Sequence, residues 1–520
     1  MNSRPLNQTG NAQVPEVIVF LVSLIRTVPW QIVFSSLIAL VGLGWGIWLR
    51  VLFFHSFPDS IPTPDTWTYV TGVYSLLENG QFDLFSLRTP GFPLLVWLVL
   101  FVFKSFAALN IMHSVLTLLS AFAIAYVVRA FGGQWRLPAA LAVGFLAVNS
   151  HLLFWEHFIM TEGSFQAFFV LALVATALAI LRPTSGRAAV AGVLVAVTIL
   201  IRPQGLFLIP LVLLAIAWAG RGLGRRKLLW LMAATVIGPF LLLGGWSARN
   251  AAVHGFFGLS NVGPIVNFGV SARWVDLESP TLAEDKALIA DSIRRYRSMP
   301  ENFNWVAWSP EGPVTLLSKK YADNFVRRDQ VLDALAREAI LHHPMDFARS
   351  RLQNTYLLMT TDTDHGAYVF AASIHWEDSW KYLTDKNLPV NEHRAALDQK
   401  RFPMRERAIS YNSDLRSALS WEMNFIRISL GLTLLAVLAL PFLRGPQRLA
   451  TAVAVISVIL LILTAGFLCE PAERYLSVIH GSAALAGALA VTGLLERWVS
   501  RRGKQHQPVE TNPGAEGLTG

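Results

Sequence analysis

Apolar residues are grouped along this chain into long blocks separated by short polar stretches. The blocks are roughly 16 to 23 residues long, close to the length that a helix needs to cross a hydrocarbon core of ~30 Å. They predict spanning helices at about 32–54, 108–130, 138–154, 161–181, 187–201, 204–220, 228–246, 424–443, 449–467 and 475–495. The pattern therefore predicts an all-α polytopic membrane protein with about 10 transmembrane helices, interfacial helices and a largely helical outer segment.

The orientation depends on residues 91–131, which hold two apolar stretches on either side of Lys104. If only the second stretch spans, every compact basic loop falls on one side of the membrane. These loops contain Arg129 and Arg136; Arg182 and Arg187; Arg221, Arg225, Arg226 and Lys227; Arg444 and Arg448; and Arg497, Arg501, Arg502 and Lys504. The positive-inside rule makes that side cytoplasmic, so both termini are expected in the cytoplasm. The stretch 91–103 is then expected to lie in or dip into the outer interface.

Four parts follow from this topology. Residues 1–246 form an N-terminal transmembrane module with a first outer loop at 55–90, and Val17–Ile25 is expected to be an interfacial helix. Residues 247–421 form a long outer segment, and 422–502 form the C-terminal transmembrane helices. The polar tail at 503–520 is expected to be disordered.

Composition supports the membrane interpretation and excludes other classes. Of the 520 residues, 53% are hydrophobic and 15% are charged, whereas a soluble protein carries about 25% charge. The net charge of +9 comes largely from the short basic loops, so it does not indicate nucleic-acid binding. No glycine-rich nucleotide cradle occurs, and neither a nucleotide nor a redox cofactor is expected.

Two acidic residues fall at the outer edge of predicted spans. Asp65 follows Pro64 where a helix from Thr66 to about Leu77 is expected, so it is either a helix cap or a chemical group. Glu162 opens the fourth span, where the helix dipole favours an acid. Because carboxylates at membrane depth are costly, both are candidates for function.

Arginines accumulate on the same, non-cytoplasmic side. They are Arg88, Arg202, Arg249 and Arg474. The guanidinium group offers a planar fork of donors that suits phosphate oxygens. Each one alone is compatible with an ordinary boundary cation, but together they predict an anionic ligand near the membrane surface.

These residues lie in segments that resemble one family. Asp65-Thr-Trp-Thr-Tyr69 resembles the Asp-x-x-x-Tyr start of the first outer loop in C-type glycosyltransferases, which include protein O-mannosyltransferases and lipid A aminoarabinose transferases. Thr66 stands where many relatives have Glu. The other matches, in family order, are Arg88-Thr-Pro-Gly-Phe-Pro93, Met160-Thr-Glu162, Arg202-Pro-Gln-Gly205, Trp246-Ser-Ala-Arg-Asn250, His343-Pro344 and Arg474-Tyr475.

The resemblance implies inverting transfer of a sugar from a polyprenyl-phosphate donor to a lipid, glycan or protein acceptor. It implies that Asp65 is the general base and that Arg202, Arg249 and Arg474 stabilise the leaving phosphate. Glu162 would orient an arginine, an acceptor hydroxyl or a divalent cation. Further substrate-binding candidates are Tyr69, Arg88 and Tyr475. The implied location is the inner membrane of a bacterium, with the active site on the periplasmic face.

The sequence is also compatible with two other functions. A membrane transporter or lipid flippase would need polar sites near the bilayer midplane and often shows an inverted repeat, and the sequence shows no such repeat. A polymerase or ligase of lipid-linked glycans would share the donor chemistry but act on long saccharides.

Overall fold

The computed structural model describes residues 30–298, 309–360, 420–468 and 473–505, apart from gaps at 58–59, 62, 64, 83–87 and 133–135. Its α-helices, in chain order, are α1 (Trp30–Ser56), α2 (Thr66–Asn79), α3 (Gly91–Phe103), α4 (Ala107–Phe131), α5 (Arg136–Ala147), α6 (Ser150–Glu156), α7 (Glu162–Leu181), α8 (Ser185–Ile201), α9 (Leu208–Gly220), α10 (Arg225–His254), α11 (Val262–Ser271), α12 (Ala283–Arg297), α13 (Pro313–Lys320), α14 (Phe325–His342), α15 (Pro344–Thr360), α16 (Glu422–Ala439), α17 (Gly445–Leu468) and α18 (Ile479–Gln505). These residues contain no β-strand, only an isolated bridge between Ile61 and Phe158.

The predicted all-α, multi-pass membrane architecture is confirmed. Within the described ranges, eight helical segments are long and apolar enough to cross a membrane, and the pair α5 and α6, bent by 47°, makes a ninth. The tenth predicted span is α8, whose 17 residues extend only about 25 Å, less than a full hydrocarbon core. The stretch 91–103 is the 13-residue helix α3, which is too short to span.

Small residues allow the spanning helices to approach closely. A Cβ on Gly42 of α1 would lie 2.6 Å from the Cα of Gly144 in α5, so the two backbones are in direct contact. Lipid tails are as apolar as leucine, and helix association in a membrane therefore depends on such close packing. This contact holds α1 against the bent pair, which leads to the segment that carries Glu162.

The described part of the outer segment has its own apolar core. Helices α11 to α14 bury residues such as Phe268, Ile293, Leu317 and Leu335 against one another. The next helix, α15, is fixed to the transmembrane bundle where the Asn354 side-chain amide donates to the Gly466 carbonyl at 2.7 Å. The predicted interfacial helix at 17–25 and residues 506–520 of the predicted tail lie outside the described residues, and α18 continues to Gln505.

Candidate active site

Two chain segments far apart in sequence are joined at the end of the bundle that was predicted to be outer. The Ile61 amide donates to the His157 carbonyl at 2.6 Å, and the Ile159 amide donates to the Ile61 carbonyl at 2.9 Å. The Thr66 hydroxyl adds a third link to the Ile159 carbonyl at 3.3 Å. The first outer loop is therefore held alongside the turn between α6 and α7, so the segment of Asp65 lies beside the segment that leads to Glu162.

Asp65 stands at the N-cap position of α2, but its side chain makes no capping hydrogen bond. Instead, its Oδ1 accepts from Nη2 of Arg88 at 2.9 Å. The Arg88 Nε donates to the Thr68 hydroxyl at 2.6 Å, and its guanidinium lies 4.3 Å from the centre of the Tyr69 ring. Asp65 therefore occupies the predicted N-cap position without capping the helix through its side chain, and Asp65, Tyr69 and Arg88 form one unit.

The turn before α3 places Arg88 next to the end of α8. A Cβ on Gly91 would lie 2.6 Å from the Ile201 nitrogen and the Leu200 carbonyl carbon, so no larger residue fits here without displacing backbone. The residue after Ile201 is Arg202, whose extended backbone ends α8. Close packing at this glycine therefore brings the segment of Arg88 to the segment of Arg202.

Glu162 is almost fully buried in the first turn of α7 and is paired with Arg202. The Arg202 Nη1 lies 2.9 Å from Glu162 Oε1 and donates to the Thr161 hydroxyl at 3.3 Å. The guanidinium also lies 5.1 Å from the centre of the Tyr475 ring. Of the three roles open to Glu162, orienting an arginine is the one that this geometry supports.

Arg474 lies between Asp65 and Tyr475. Its Nη1 lies 3.8 Å from Asp65 Oδ2, and its Nη2 donates to the Tyr475 hydroxyl at 2.7 Å. Its carbonyl is held by the amide of Ser477 at 3.2 Å and by the Ser477 hydroxyl at 2.7 Å. Seven of the eight predicted site residues are thus in one cluster: Asp65, Tyr69, Arg88, Glu162, Arg202, Arg474 and Tyr475.

The charges of this cluster favour an anion. Three arginines face two carboxylates, which leaves an excess of one positive charge. Desolvation alone would raise the pKa of Asp65, but the positive charges of Arg88 and Arg474 and the hydrogen bond from Arg88 outweigh it, so this pKa lies below its usual value. Asp65 is therefore anionic at neutral pH, and its side chain is 41% exposed, compared with 1% for Glu162.

Arg249 has a different set of contacts. Its Nη2 donates to the Phe82 carbonyl at 3.2 Å, its Nη1 lies 2.9 Å from His254 Nε2, and its guanidinium lies 4.8 Å from the centre of the Trp246 ring. These contacts tie the end of α10 to the first outer loop. The described contacts of Arg249 therefore do not include the other predicted site residues.

The cluster does not suit a divalent cation. Both carboxylates are paired with arginine, and the surrounding positive charge would repel a metal ion. The Thr66 hydroxyl, at the position of the family's second acid, accepts from the Thr63 amide at 2.8 Å and is a structural group. Elsewhere in the described residues, Asp276, Glu338 and His342 are close enough to share a metal, but Glu338 Oε2 already lies 2.8 Å from the Lys286 ammonium.

A buried ion pair near the site was not predicted from the sequence. Arg50 of α1 donates to both oxygens of Glu156, at 2.8 and 3.1 Å, and to the Ala147 carbonyl at 2.7 Å. The Ser114 hydroxyl donates to the same carboxylate at 2.7 Å. A charged residue inside the first apolar block was the available signal, because such residues pair within the protein.

In sequence comparisons, no protein-family model and no curated protein matches this chain. Solved structures are similar to it, and two of them are as follows. One is the archaeal oligosaccharyltransferase AglB from Archaeoglobus fulgidus in complex with an inhibitory peptide and a dolichol-phosphate, with 13% identity, a TM-score of 0.45, and coverage of 91% of this chain and 51% of that one. The other is ArnT from Cupriavidus metallidurans bound to undecaprenyl phosphate, with 15% identity, a TM-score of 0.32, and coverage of 89% and 78%.

This chain therefore spans about half the length of the oligosaccharyltransferase. The two similarities agree in kind with the resemblance to C-type glycosyltransferases. Both TM-scores are below 0.5, and the chemistry of the site follows from the residues of this chain.

Proposed function

We propose that this protein is a membrane glycosyltransferase that moves a sugar from a polyprenyl-phosphate donor to an acceptor hydroxyl on the non-cytoplasmic side of the membrane. The observation that carries the proposal is the position of Asp65 between Arg88 and Arg474, at 2.9 and 3.8 Å. A half-exposed carboxylate beside two guanidinium groups combines a base with an anion site. This combination suits a reaction in which an alcohol loses a proton and a phosphate departs.

In the proposed mechanism, Asp65 accepts the proton of the acceptor hydroxyl as its oxygen attacks the anomeric carbon. The bond from this carbon to the phosphate oxygen breaks on the opposite face, so the configuration inverts. Arg474 and Arg202 stabilise the charge that develops on the leaving lipid phosphate, and Glu162 holds Arg202 in place. Tyr69 and Tyr475 provide ring faces that fix Arg88, Arg202 and Arg474.

The ion pairs of the free site also explain how the base is activated. While Arg88 and Arg474 face Asp65, its pKa is low and it is a weak base. A donor phosphate that draws these guanidinium groups toward itself removes part of this stabilisation and raises the basicity of Asp65. Proton abstraction would then be favoured only when the donor is bound.

The sidedness rests on the distribution of charge between the two ends of the bundle. The cluster lies where α7 begins and α8 ends, and the opposite ends of these helices carry Arg182 and Arg187. By the positive-inside rule the latter end is cytoplasmic. This distribution supports a site on the non-cytoplasmic side, with both termini in the cytoplasm. The resemblance to C-type glycosyltransferases implies that this side is the periplasmic face of a bacterial inner membrane.

The decisive experiment is Asp65→Asn in the purified, reconstituted protein. General-base catalysis is typically worth ~10²–10⁴-fold, and we expect a loss of transfer in this range. Binding of undecaprenyl phosphate should persist, since the variant only removes a negative charge near the phosphate. Asp291→Asn is the matched control, because Asp291 is exposed and paired with Arg294 in the outer segment.

Near-normal turnover by Asp65→Asn would refute the role of this residue. Substrate-driven lipid translocation without transfer, measured in sealed vesicles, would favour a transporter or flippase instead. Long saccharide products would indicate a polymerase or ligase. The size of the transferred group, measured by mass spectrometry of the product, separates that outcome from single-sugar transfer.

A further inference from the structure

Beneath the site, four buried polar groups form a continuous chain. His151 Nε2 lies 2.8 Å from Glu422 Oε1, His151 Nδ1 lies 2.8 Å from His480 Nε2, and His480 Nδ1 lies 2.7 Å from the Ser429 hydroxyl. Each of the four residues is at most 1% exposed. None of them belongs to the reaction described above.

The contacts between these side chains can be assigned donors and acceptors with both imidazoles neutral. A neutral imidazole has one donor nitrogen and one acceptor nitrogen. The Ser429 hydroxyl can donate to His480 Nδ1, and His480 Nε2–H can donate to His151 Nδ1, so each of these two hydrogen bonds has one donor and one acceptor. In this arrangement the protonated Nε2 of His151 faces Glu422 Oε1 at 2.8 Å.

These contacts join three helices, two of which adjoin segments that carry site residues. His151 is in α6, which leads directly into the turn of Met160 and Glu162. His480 is in the first turn of α18, immediately after the segment of Arg474. Glu422 and Ser429 are in α16, the helix with which the polypeptide returns from the outer segment to the membrane.

The same two segments also meet one layer above, within the site. Arg474 Nη1 lies 4.0 Å from the sulfur of Met160. Between Arg474 and His480, the Ser477 hydroxyl and amide both bind the Arg474 carbonyl, so the backbone of Arg474 is fixed to the start of α18. A shift of His480 relative to His151 would therefore move Arg474 relative to Glu162 and Asp65.

We propose that Glu422, His151, His480 and Ser429 are positioning residues that set the placement of Arg474 for the donor phosphate. This inference rests on the proposed function, in which Arg474 contacts that phosphate. Directional links between buried groups hold two helices at a defined distance and rotation, which apolar packing alone does not fix. A displacement of ~1 Å at a reacting group can lower the rate by ~10²-fold.

The test compares three substitutions of His480. His480→Leu removes both links. His480→Gln places an amide near the position of Nε2 and keeps the link to His151, whereas His480→Asn places one near Nδ1 and keeps the link to Ser429. Binding of undecaprenyl phosphate in detergent is measured by calorimetry, and kcat is measured at saturating donor.

We expect His480→Leu to weaken undecaprenyl phosphate binding by roughly tenfold, since misplacement of a contacting group by a fraction of an ångström has effects of this order. His480→Gln should restore most of the affinity, and His480→Asn less, because the link to His151 is the one between the segments of Arg474 and Glu162. In an Arg474→Ala background, His480→Leu should have little further effect. Thr492→Val is the control for a buried polar group of α18, since its hydroxyl binds only within the helix, to Ala488.

Failures of the two proposals are distinguishable. If the unchanged protein does not bind undecaprenyl phosphate, the proposed function fails. If it binds and Arg474→Ala weakens binding, but His480→Leu binds like the unchanged protein, the positioning inference is overturned. If His480→Leu does not fold, the Gln and Asn variants provide the test. The inference is contradicted if the Asn variant binds undecaprenyl phosphate as tightly as the Gln variant, or more tightly.

Discussion

The carboxylate of Asp65 is shared between two arginines that approach it from different chain segments. Arg88 donates to Oδ1 at 2.9 Å from the turn before α3, and Arg474 lies 3.8 Å from Oδ2 in the turn before α18. The position that sequence assigns to a helix cap is used for ion pairing instead. The protonation of Asp65 is therefore controlled by residues that a donor phosphate would also attract.

Replacing Arg88 with Gln should change the pH dependence of transfer. The acid limb of kcat/KM reports the pKa of the base in the free enzyme. Because the pKa of Asp65 lies below its ordinary value of 3.8, it stays deprotonated to lower pH than a free Asp, and the limb of the unchanged protein lies at low pH. Arg88→Gln removes a lowering influence while desolvation remains, so the limb should move to higher pH. Arg294→Gln, which changes an exposed arginine, is the control. If the acid limb of Arg88→Gln does not move, Asp65 is not the titrating base.

The pair of Arg202 and Glu162 should affect stability and activity separately. Arg202→Ala removes the guanidinium 2.9 Å from an almost fully buried carboxylate, and breaking such a pair costs about 3–5 kcal/mol. Adding Glu162→Gln should recover most of the thermal stability but not the transfer activity. Arg294→Ala breaks an exposed pair and should cost less than about 1 kcal/mol. If the double variant recovers transfer activity, Arg202 has no role in the reaction.

Gly91→Ala should reduce transfer without any change in charge. The new Cβ would lie 2.6 Å from backbone atoms of Leu200 and Ile201, which cannot move without displacing α3 or the end of α8. Since these elements carry Arg88 and Arg202, we expect weaker binding of undecaprenyl phosphate and lower kcat. Gly244→Ala in α10 is the matched control, because no atom lies within 4 Å of its Cβ position. Equal activities of the two variants would contradict this role for the contact.

Arg474 and Arg249 should differ in their effect on undecaprenyl phosphate binding. Hydrogen bonds to charged groups contribute about 1.5–3 kcal/mol, so Arg474→Ala should weaken binding by about tenfold or more. Arg249 contacts the Phe82 carbonyl and His254, and we expect a smaller loss for Arg249→Ala. Arg249→Lys would show whether fork geometry matters, since it keeps the charge. If Arg249→Ala loses as much affinity for undecaprenyl phosphate as Arg474→Ala does, Arg249 contacts the phosphate.

The sequence by itself determined the membrane architecture and named most residues of the candidate site. The length of an apolar block corresponds to the thickness of the bilayer, so the spanning helices and the short helix at 91–103 were predictable. Arginines and acids at the ends of apolar blocks were visible for the same reason, because ionised groups there stand out from their surroundings. Seven of the eight predicted site residues meet in one cluster.

Only the tertiary structure decided which of these groups pair. Asp65 occupies the predicted cap position, but its carboxylate pairs with Arg88, which comes from a segment 23 residues further along the chain. The pair of Arg50 and Glu156 and the chain from Glu422 to Ser429 were missed because each joins helices that are distant in sequence. Helical periodicity shows which residues share a face of one helix, but the partner of a buried polar group depends on which helices pack together.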